Sequence, residues 1–338
     1  MKLQSDISLK LYNTFGIDVK ASFFARFNNV QELQELLQQP EVKQEQILVL
    51  GGGSNLLFTK DFDGVALQNG IKGIEVLRQN EEYVYVKAGG GEIWHEFVLR
   101  MLEQNLGGVE NLSLIPGTVG AAPLQNIGAY GVELKDVFYE LEAVEISSAQ
   151  TRIFSKEECQ FGYRESVFKN ELKGQYIVTS VTFKLHRKHN LNISYGAIKS
   201  ILDEMQVKQP SIQDVSAAVC QIRSSKLPDP KQIGNAGSFF KNPEIPIALF
   251  KALKEQYPEI PAYPVSDISV KVPAGWLIEQ CGWKGKVIEN YGVHKNQALV
   301  LVNYGGASGA DIQKLACTII DSVEETFGIR LHPEVNII

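Results

Sequence analysis

Between positions 107 and 131 the chain loses every hydrophobic period and glycine takes over, at Gly107, Gly108, Gly117, Gly120, Gly128 and Gly131. A segment of that length with neither helical nor strand patterning is uncommon inside a compact protein and is usually functional. Regular elements bracket it. Positions 93–106 carry Trp94, Phe97, Val98, Met101 and Leu102 as one apolar helical stripe, and strand character returns at 141–146 and 177–185. At 338 residues the chain exceeds one ordinary core, which predicts two or three lobes.

Other elements read clearly. Asn29 caps a helix over 29–39, with Glu32 three residues on and Pro40 as its stop. A buried strand is expected at 47–50, further strands at 65–68 and 83–88, and a helix over 211–225 opened by Ser211 and Asp214. The last third is read as a short helix near 276–281, a strand at 298–303, a helix over 309–327 between Ser308 and Gly328, and a final strand over 329–338. Helices and strands alternate irregularly, which favours α+β over a doubly wound sheet. The double proline Pro228-Asp229-Pro230 is the best domain boundary.

The strand at 47–50 runs into Gly51-Gly52-Gly53-Ser54-Asn55, an arrangement that invites a dinucleotide fingerprint. Its spacing refuses one, because Leu56 stands where the third glycine belongs and no helix start follows. What remains is a run of small residues able to turn backbone N–H groups onto an anion. A second loop, 115–123, holds Pro116, Gly117 and Gly120, and 124–131 continues it with Asn126, Gly128 and Gly131. Each loop alone is more often only a turn; together they favour a dinucleotide cofactor, and 124–131 fits a backbone passing along a flat ring or equally a glycine-rich connector.

The stretch Gly234-Asn235-Ala236-Gly237-Ser238-Phe239-Phe240-Lys241-Asn242-Pro243 sets one hydroxyl before two aromatic rings. A nucleophilic serine wants a base and a strand-to-helix elbow, yet no histidine lies within 40 residues of Ser238. Ser238 is therefore read as giving a proton or a hydrogen bond inside a dry pocket, or else as satisfying backbone in a turn.

A net charge of −6 offers no basic surface for nucleic acid or an anionic membrane, although a local basic pocket stays compatible with it. The four cysteines lack metal or disulfide spacing, so no metal site is expected. A polar first 20 residues and no long apolar run predict neither leader nor membrane span, hence a cytoplasmic protein.

With these residues assembled, the chain resembles the bacterial UDP-N-acetylenolpyruvoylglucosamine reductases of peptidoglycan synthesis. The resemblance runs from Asn13-Thr14-Phe15-Gly16 to the C-terminus. It takes in 50–55, Ile115-Pro116-Gly117, 125–131, Phe161-Gly162-Tyr163-Arg164, 226–230, 234–243, 274–278, 294–299 and Pro333-Glu334-Val335. It implies the FAD-binding fold shared with vanillyl-alcohol-type oxidases and p-cresol methylhydroxylase. Two lobes (1–62 and 63–227) would be followed by a substrate-binding α+β domain (228–328), and 329–338 would carry Glu334 into the site. FAD would lie against Gly51, Gly52, Gly53, Ser54, Asn55, Pro116, Gly117, Gly120, Asn126, Gly128 and Gly131. NADPH would be the hydride source. Tyr163 and Arg164 are implied at the enolpyruvyl end, Ser238 as proton donor and Glu334 beside it. Tyr195, in the family's extra tyrosine loop, would join Lys226, Asn242 and Gln297 on the UDP-sugar and its diphosphate.

That chemistry needs residues of these types. Hydride adds to the methylene of an electron-rich enol ether only if the attached carboxylate takes up charge, and a guanidinium clamps a carboxylate in two places. A small neutral donor must then protonate the neighbouring carbon. Two other readings stay open on sequence alone: a flavin oxidase of the same fold, and a nucleotide-sugar binding protein without redox activity.

Overall fold

In the computed structural model, which describes residues 3–338, the apolar run Ile47–Leu50 forms a strand parallel to Phe62–Asn69. It is the edge of a four-stranded sheet ordered Gln4–Ser8, Lys20–Phe27, Phe62–Asn69, Ile47–Leu50, so only Leu50 of the run is buried and the expected fully buried strand is half-covered. Helix Val30–Gln38, capped by Asn29, buries Leu33, Leu36 and Leu37 with Phe27, Val65 and Leu67. A five-stranded antiparallel sheet follows, ordered Thr151–Ser155, Phe138–Glu145, Tyr176–His186, Tyr83–Gly89, Ile74–Gln79. Helix Trp94–Glu103 turns its apolar stripe onto the core formed with this sheet, with Phe97 and Phe183 at 4.6 Å, and the Trp94 indole donates to the Leu112 carbonyl. Helices Gly196–Glu204 and Ile212–Lys226 share a smaller core of Ile198, Leu202, Val215, Val219 and Ile222. The shorter strands escaped the sequence reading because their apolar residues are too few to set a period, whereas Gly196–Glu204 carries Ile198, Ile201 and Leu202 at helical spacing and was legible.

The chain sorts into two compact units that are not consecutive. The first comprises 3–7, Ala21–Gly52 and Asp63–Ser224; the second comprises Ser8–Lys20, Gly53–Phe62 and Ser225–Ile338. The expected first lobe, 1–62, is thus divided, and 329–338 belongs with 228–328. Backbone pairing inside the second unit explains this: Thr14 and Asn235 exchange hydrogen bonds, and Asn303 Nδ2 donates to the Phe15 carbonyl.

The second unit is built on an antiparallel sheet ordered Gly234–Ser238, Val300–Asn303, Tyr291–Val293, Val287–Ile288. Helix Gly309–Phe327 begins at a capping box of Ser308 and Asp311 and ends at left-handed Gly328, as the sequence predicts. The final strand is shorter than expected. Only Asn336–Ile337 pairs regularly, parallel to Leu56–Leu57, because Pro333 has no N–H to give a ladder and makes a single bridge to Phe240.

Gly53 has φ of +62°, and a Cβ there would stand 2.0 Å from the Tyr12 carbonyl oxygen. Gly16 has φ of +68° but open space around it. Both alanine variants are expected to lose about 1–2 kcal/mol from the left-handed backbone alone, and Gly53→Ala to lose more through the clash. Urea unfolding checks the ranking; equal losses would mean that the carbonyl yields freely.

Candidate active site

Strand Gly234–Ser238 keeps register with Val300–Asn303 at Gly234 and Asn235, loses it, and regains it at Ser238. Left-handed Gly237, φ +69°, lies in that irregularity. Beyond it the Phe239 and Phe240 rings are fully buried, while Ser238 is exposed. This corrects the dry pocket expected for the hydroxyl: alternation along an extended chain sends Phe239 inward and Ser238 outward.

The segment after Leu331 lies antiparallel to 239–241. Glu334 N–H donates to the Phe239 carbonyl at 2.8 Å, and Lys241 N–H donates to the His332 carbonyl at 2.9 Å. Glu334 is thereby fixed beside the Ser238 strand, although the two residues are far apart in sequence. Asn55 joins them, donating from Nδ2 to the Glu334 carbonyl at 3.3 Å and accepting from Asn336 N–H on its own carbonyl. Asn242 Oδ1 accepts from Ala274 N–H at 2.9 Å, which leaves its amide nitrogen as the donor a ligand would meet. Gln297 Oε1 accepts from Leu299 N–H. Lys226 is exposed in this unit, where Asn296 holds the preceding Ser225 carbonyl.

Tyr163, Arg164 and Tyr195 belong to the first unit. Gly162 and Glu165 exchange two backbone hydrogen bonds, so Tyr163 and Arg164 form the tip of a two-residue hairpin, with Arg164 at φ +56°. Asn126, fully buried and left-handed, braces that hairpin: its Nδ2 donates to the Gly162 carbonyl at 2.9 Å while its Oδ1 accepts from Lys135 N–H. Arg164 Nη2 donates to the Gly128 carbonyl at 2.5 Å. Tyr195 stacks edge-on against Tyr130 at 5.4 Å, and Gly131 C=O accepts from Asn192.

The two glycine loops meet in this unit. A Cβ on Gly52 would fall 2.9 Å from Gly117 Cα, and one on Gly120 would fall 2.9 Å from Gly90 Cα. Gly51 faces Thr118, and Gly117 C=O, just after Pro116, accepts from Trp94 N–H. The glycines thus let loops approach each other as well as a ligand. The N–H groups of Gly52 in the first unit, and of Gly53 and Ser54 in the second, find no acceptor among the described residues. Such N–H groups suit an anion such as a pyrophosphate.

Two residues of the first unit carry more than their sequence context suggested. His95 is half-buried, and its Nδ1 accepts from Leu114 N–H at 2.9 Å. Arg223 donates from Nε to the Leu114 carbonyl at 3.2 Å and shares a hydrogen bond with the Tyr130 hydroxyl. The only sequence signal was Arg223 lying three residues before Lys226 on one helix. Burial lowers the Arg223 pKa most, with the Arg164 charge adding to it. Burial and the Arg223 charge also hold His95 below its usual value, against a smaller opposing pull from Glu96. Leu114, Asn126, Tyr130 and Arg164 are all left-handed non-glycines, the kind of strained backbone that collects at functional sites. Burial pushes the Cys159 thiol up to about 12, which leaves it inert. Among the described residues no group of three or more His, Cys, Asp or Glu is arranged to hold a metal ion.

Two family models match the chain. One, described as the C-terminal domain of UDP-N-acetylenolpyruvoylglucosamine reductase, covers residues 229–338, and one described as an FAD binding domain covers 21–152. The chain is 51% identical to a UDP-N-acetylenolpyruvoylglucosamine reductase of Flavobacterium johnsoniae over 100% of both chains. It is 49% identical to the Pseudomonas fluorescens protein of that name, over 100% of this chain and 99% of the other. The solved Thermus caldophilus UDP-N-acetylenolpyruvylglucosamine reductase shares the fold at 22% identity and a TM-score of 0.69, covering 100% of this chain and 99% of that one.

His294 is buried, and burial followed by the Lys295 charge lowers its pKa as well. A histidine lowered on folding takes up protons more readily when unfolded, so the stability it confers is complete above the unfolded value of about 6.5. That stability drains away as pH falls through the lowered folded value. Urea midpoints are expected to decline from pH 7.5 to 5, and His95→Asn is expected to flatten the decline. A midpoint constant across that range would contradict it.

Proposed function

This chain belongs to the UDP-N-acetylenolpyruvoylglucosamine reductase family, and from that premise we propose that it reduces the enolpyruvyl ether of UDP-N-acetylglucosamine to the lactyl ether, UDP-N-acetylmuramate, at the expense of NADPH. Membership makes it an oxidoreductase of peptidoglycan precursor synthesis with FAD as its cofactor. The residues present fit that cofactor: glycine loops at backbone contact and N–H groups without acceptors among the described residues.

The observation that carries the reading is the backbone pairing of Glu334 with Phe239, the residue after Ser238, which brings these two sequence-distant segments together. FAD, which the glycine loops around Gly52, Gly53, Gly117 and Gly120 would hold, would supply the hydride that the enolpyruvyl methylene carbon receives. Arg164, held at a hairpin tip, binds the substrate carboxylate and stabilises the charge that gathers there. Ser238 gives its proton to the carbon bearing that carboxylate, so that hydride and proton together saturate the double bond. Its exposure lets solvent restore the proton. Glu334 belongs to the same reacting end of the substrate. Lys226, Asn242, Gln297 and Tyr195 bind the UDP-sugar, whose remote binding energy orients the reacting end. Among the described residues no helix is long and apolar enough to cross a membrane, which accords with small, water-borne substrates.

Ser238→Ala is expected to keep the fold, the flavin and reduction by NADPH, and to slow transfer to the enolpyruvyl group by about 10²–10⁴-fold. Ser238→Cys recovers part of the loss. Stopped-flow reoxidation of the reduced variant by substrate decides the matter, and a wild-type rate would remove Ser238 from the role of donor.

Lys226→Ala is expected to raise the dissociation constant for UDP, measured by calorimetry, while flavin content stays full. An unchanged constant would take this lysine out of the diphosphate site.

A further inference from the structure

The loop 294–299, between strands Tyr291–Val293 and Val300–Asn303 of the second unit, carries His294, Asn296 and Gln297. Ser225 and Lys226, which close helix Ile212–Lys226, fall in the same unit. The last carbonyls of a helix have no partner within it. Two side chains of the loop take up this pair: Asn296 Nδ2 donates to the Ser225 carbonyl at 3.3 Å, and the His294 ring bonds to the Lys226 backbone. The second bond favours the protonated ring, so the ring is the donor and the Lys226 carbonyl the acceptor. Nδ1 has no partner, which leaves Nε2 as the donating nitrogen.

His294 is only 6% exposed, and a buried acceptor left unpaired costs stability that an apolar side chain filling the same space would not lose. Burial, then the Lys295 charge, lower the pKa of the ring, so near neutral pH it carries one N–H, and that one meets Lys226. The same residue governs a second side chain of the site. Its carbonyl accepts Gln297 N–H at 3.3 Å, while its own N–H donates to the Val300 carbonyl at 2.8 Å. Gln297 uses Oε1 on Leu299 N–H and keeps its amide nitrogen for a ligand. Lys226 is exposed, and its ammonium rides on a long flexible stem that must be ordered when it meets an anion. Fixing the main chain at its base beforehand lowers that cost.

We propose that His294 is a positioning residue for the UDP-sugar, fixing the main chain from which Lys226 reaches the diphosphate. The inference rests on the reading that Lys226 binds that diphosphate, and it gives the buried ring a role that the proposed reaction leaves unexplained. A plain helix cap would also satisfy the Lys226 carbonyl. The two roles differ in what happens when the bond is cut. A lost cap loosens the fold, and its effect on binding is the same with or without the lysine ammonium. A lost positioning residue acts on binding through that ammonium alone.

The test is a double-variant cycle in the FAD-loaded protein, read as the dissociation constant of UDP by calorimetry. His294→Leu is expected to raise the constant about 3- to 10-fold, the worth of one hydrogen bond. His294→Gln, whose amide nitrogen reaches the place of Nε2, restores most of the affinity. His294→Asn, whose amide reaches only the place of Nδ1, does not restore it, and serves if the leucine variant does not fold. In a Lys226→Ala background His294→Leu is expected to add almost nothing, because residues that act through one another do not add. Where Lys226→Ala alone weakens binding, three results overturn the positioning role: a constant unchanged in the leucine and asparagine variants, a glutamine variant as weak as the leucine one, or a loss repeated in full in the Lys226→Ala background. If Lys226→Ala alone changes nothing, the diphosphate reading falls first and the proposal with it.

Discussion

Two backbone hydrogen bonds, from Glu334 N–H to the Phe239 carbonyl and from Lys241 N–H to the His332 carbonyl, tie the last residues of the chain to the strand that carries Ser238. Much of the second unit is arranged around this tie. Phe239 and Phe240 anchor one side in the core, and Pro333 limits the other side to a single bridge. Asn55 then fastens the segment 53–55 to the same residues through the Glu334 and Asn336 backbone. A hydroxyl and a carboxyl group from sequence-distant segments are thus held by main chain, which moves less than any side-chain contact would allow.

The first unit uses a different device. Its candidate residues sit on strained backbone: Leu114, Asn126, Tyr130 and Arg164 are all left-handed, and each is held by a partner. Asn126 braces the Tyr163-Arg164 hairpin with both ends of its amide, and His95 braces Leu114. Strain of this kind persists only where neighbours over-determine the geometry. The glycines of the two loops contribute by absence, since a Cβ on Gly52 or Gly120 would strike the facing backbone.

Much of this was legible in the chain. The long helix Gly309–Phe327 announced both its ends, since a capping box and a terminal glycine act locally. The failed dinucleotide fingerprint after Leu50 correctly pointed away from a doubly wound sheet, because the next element is the strand pair 56–57 and 62–69 rather than a helix. Motif order identified the family, and the relatives bear it out. The rest was hidden for physical reasons. The assignment of 8–20 and 53–62 to the second unit depends on pairings such as Thr14 with Asn235, separated by 221 residues, which no local pattern records. The exposure of Ser238 depends on which face its strand turns inward. His95 and Arg223 looked like ordinary polar positions on helices, and only the carbonyl and N–H of Leu114 join them.

The central claim is that electrons from NADPH pass through this protein to an enolpyruvyl ether. Anaerobic titration of the purified protein with NADPH, followed by UDP-N-acetylenolpyruvylglucosamine, tests it in one cuvette. The account predicts a yellow protein whose visible flavin absorbance bleaches with NADPH and returns in full, within the mixing time of a turnover, when the enolpyruvyl substrate is added under nitrogen. A flavin that bleaches but returns only on admission of air, with the substrate left unreduced, would contradict it.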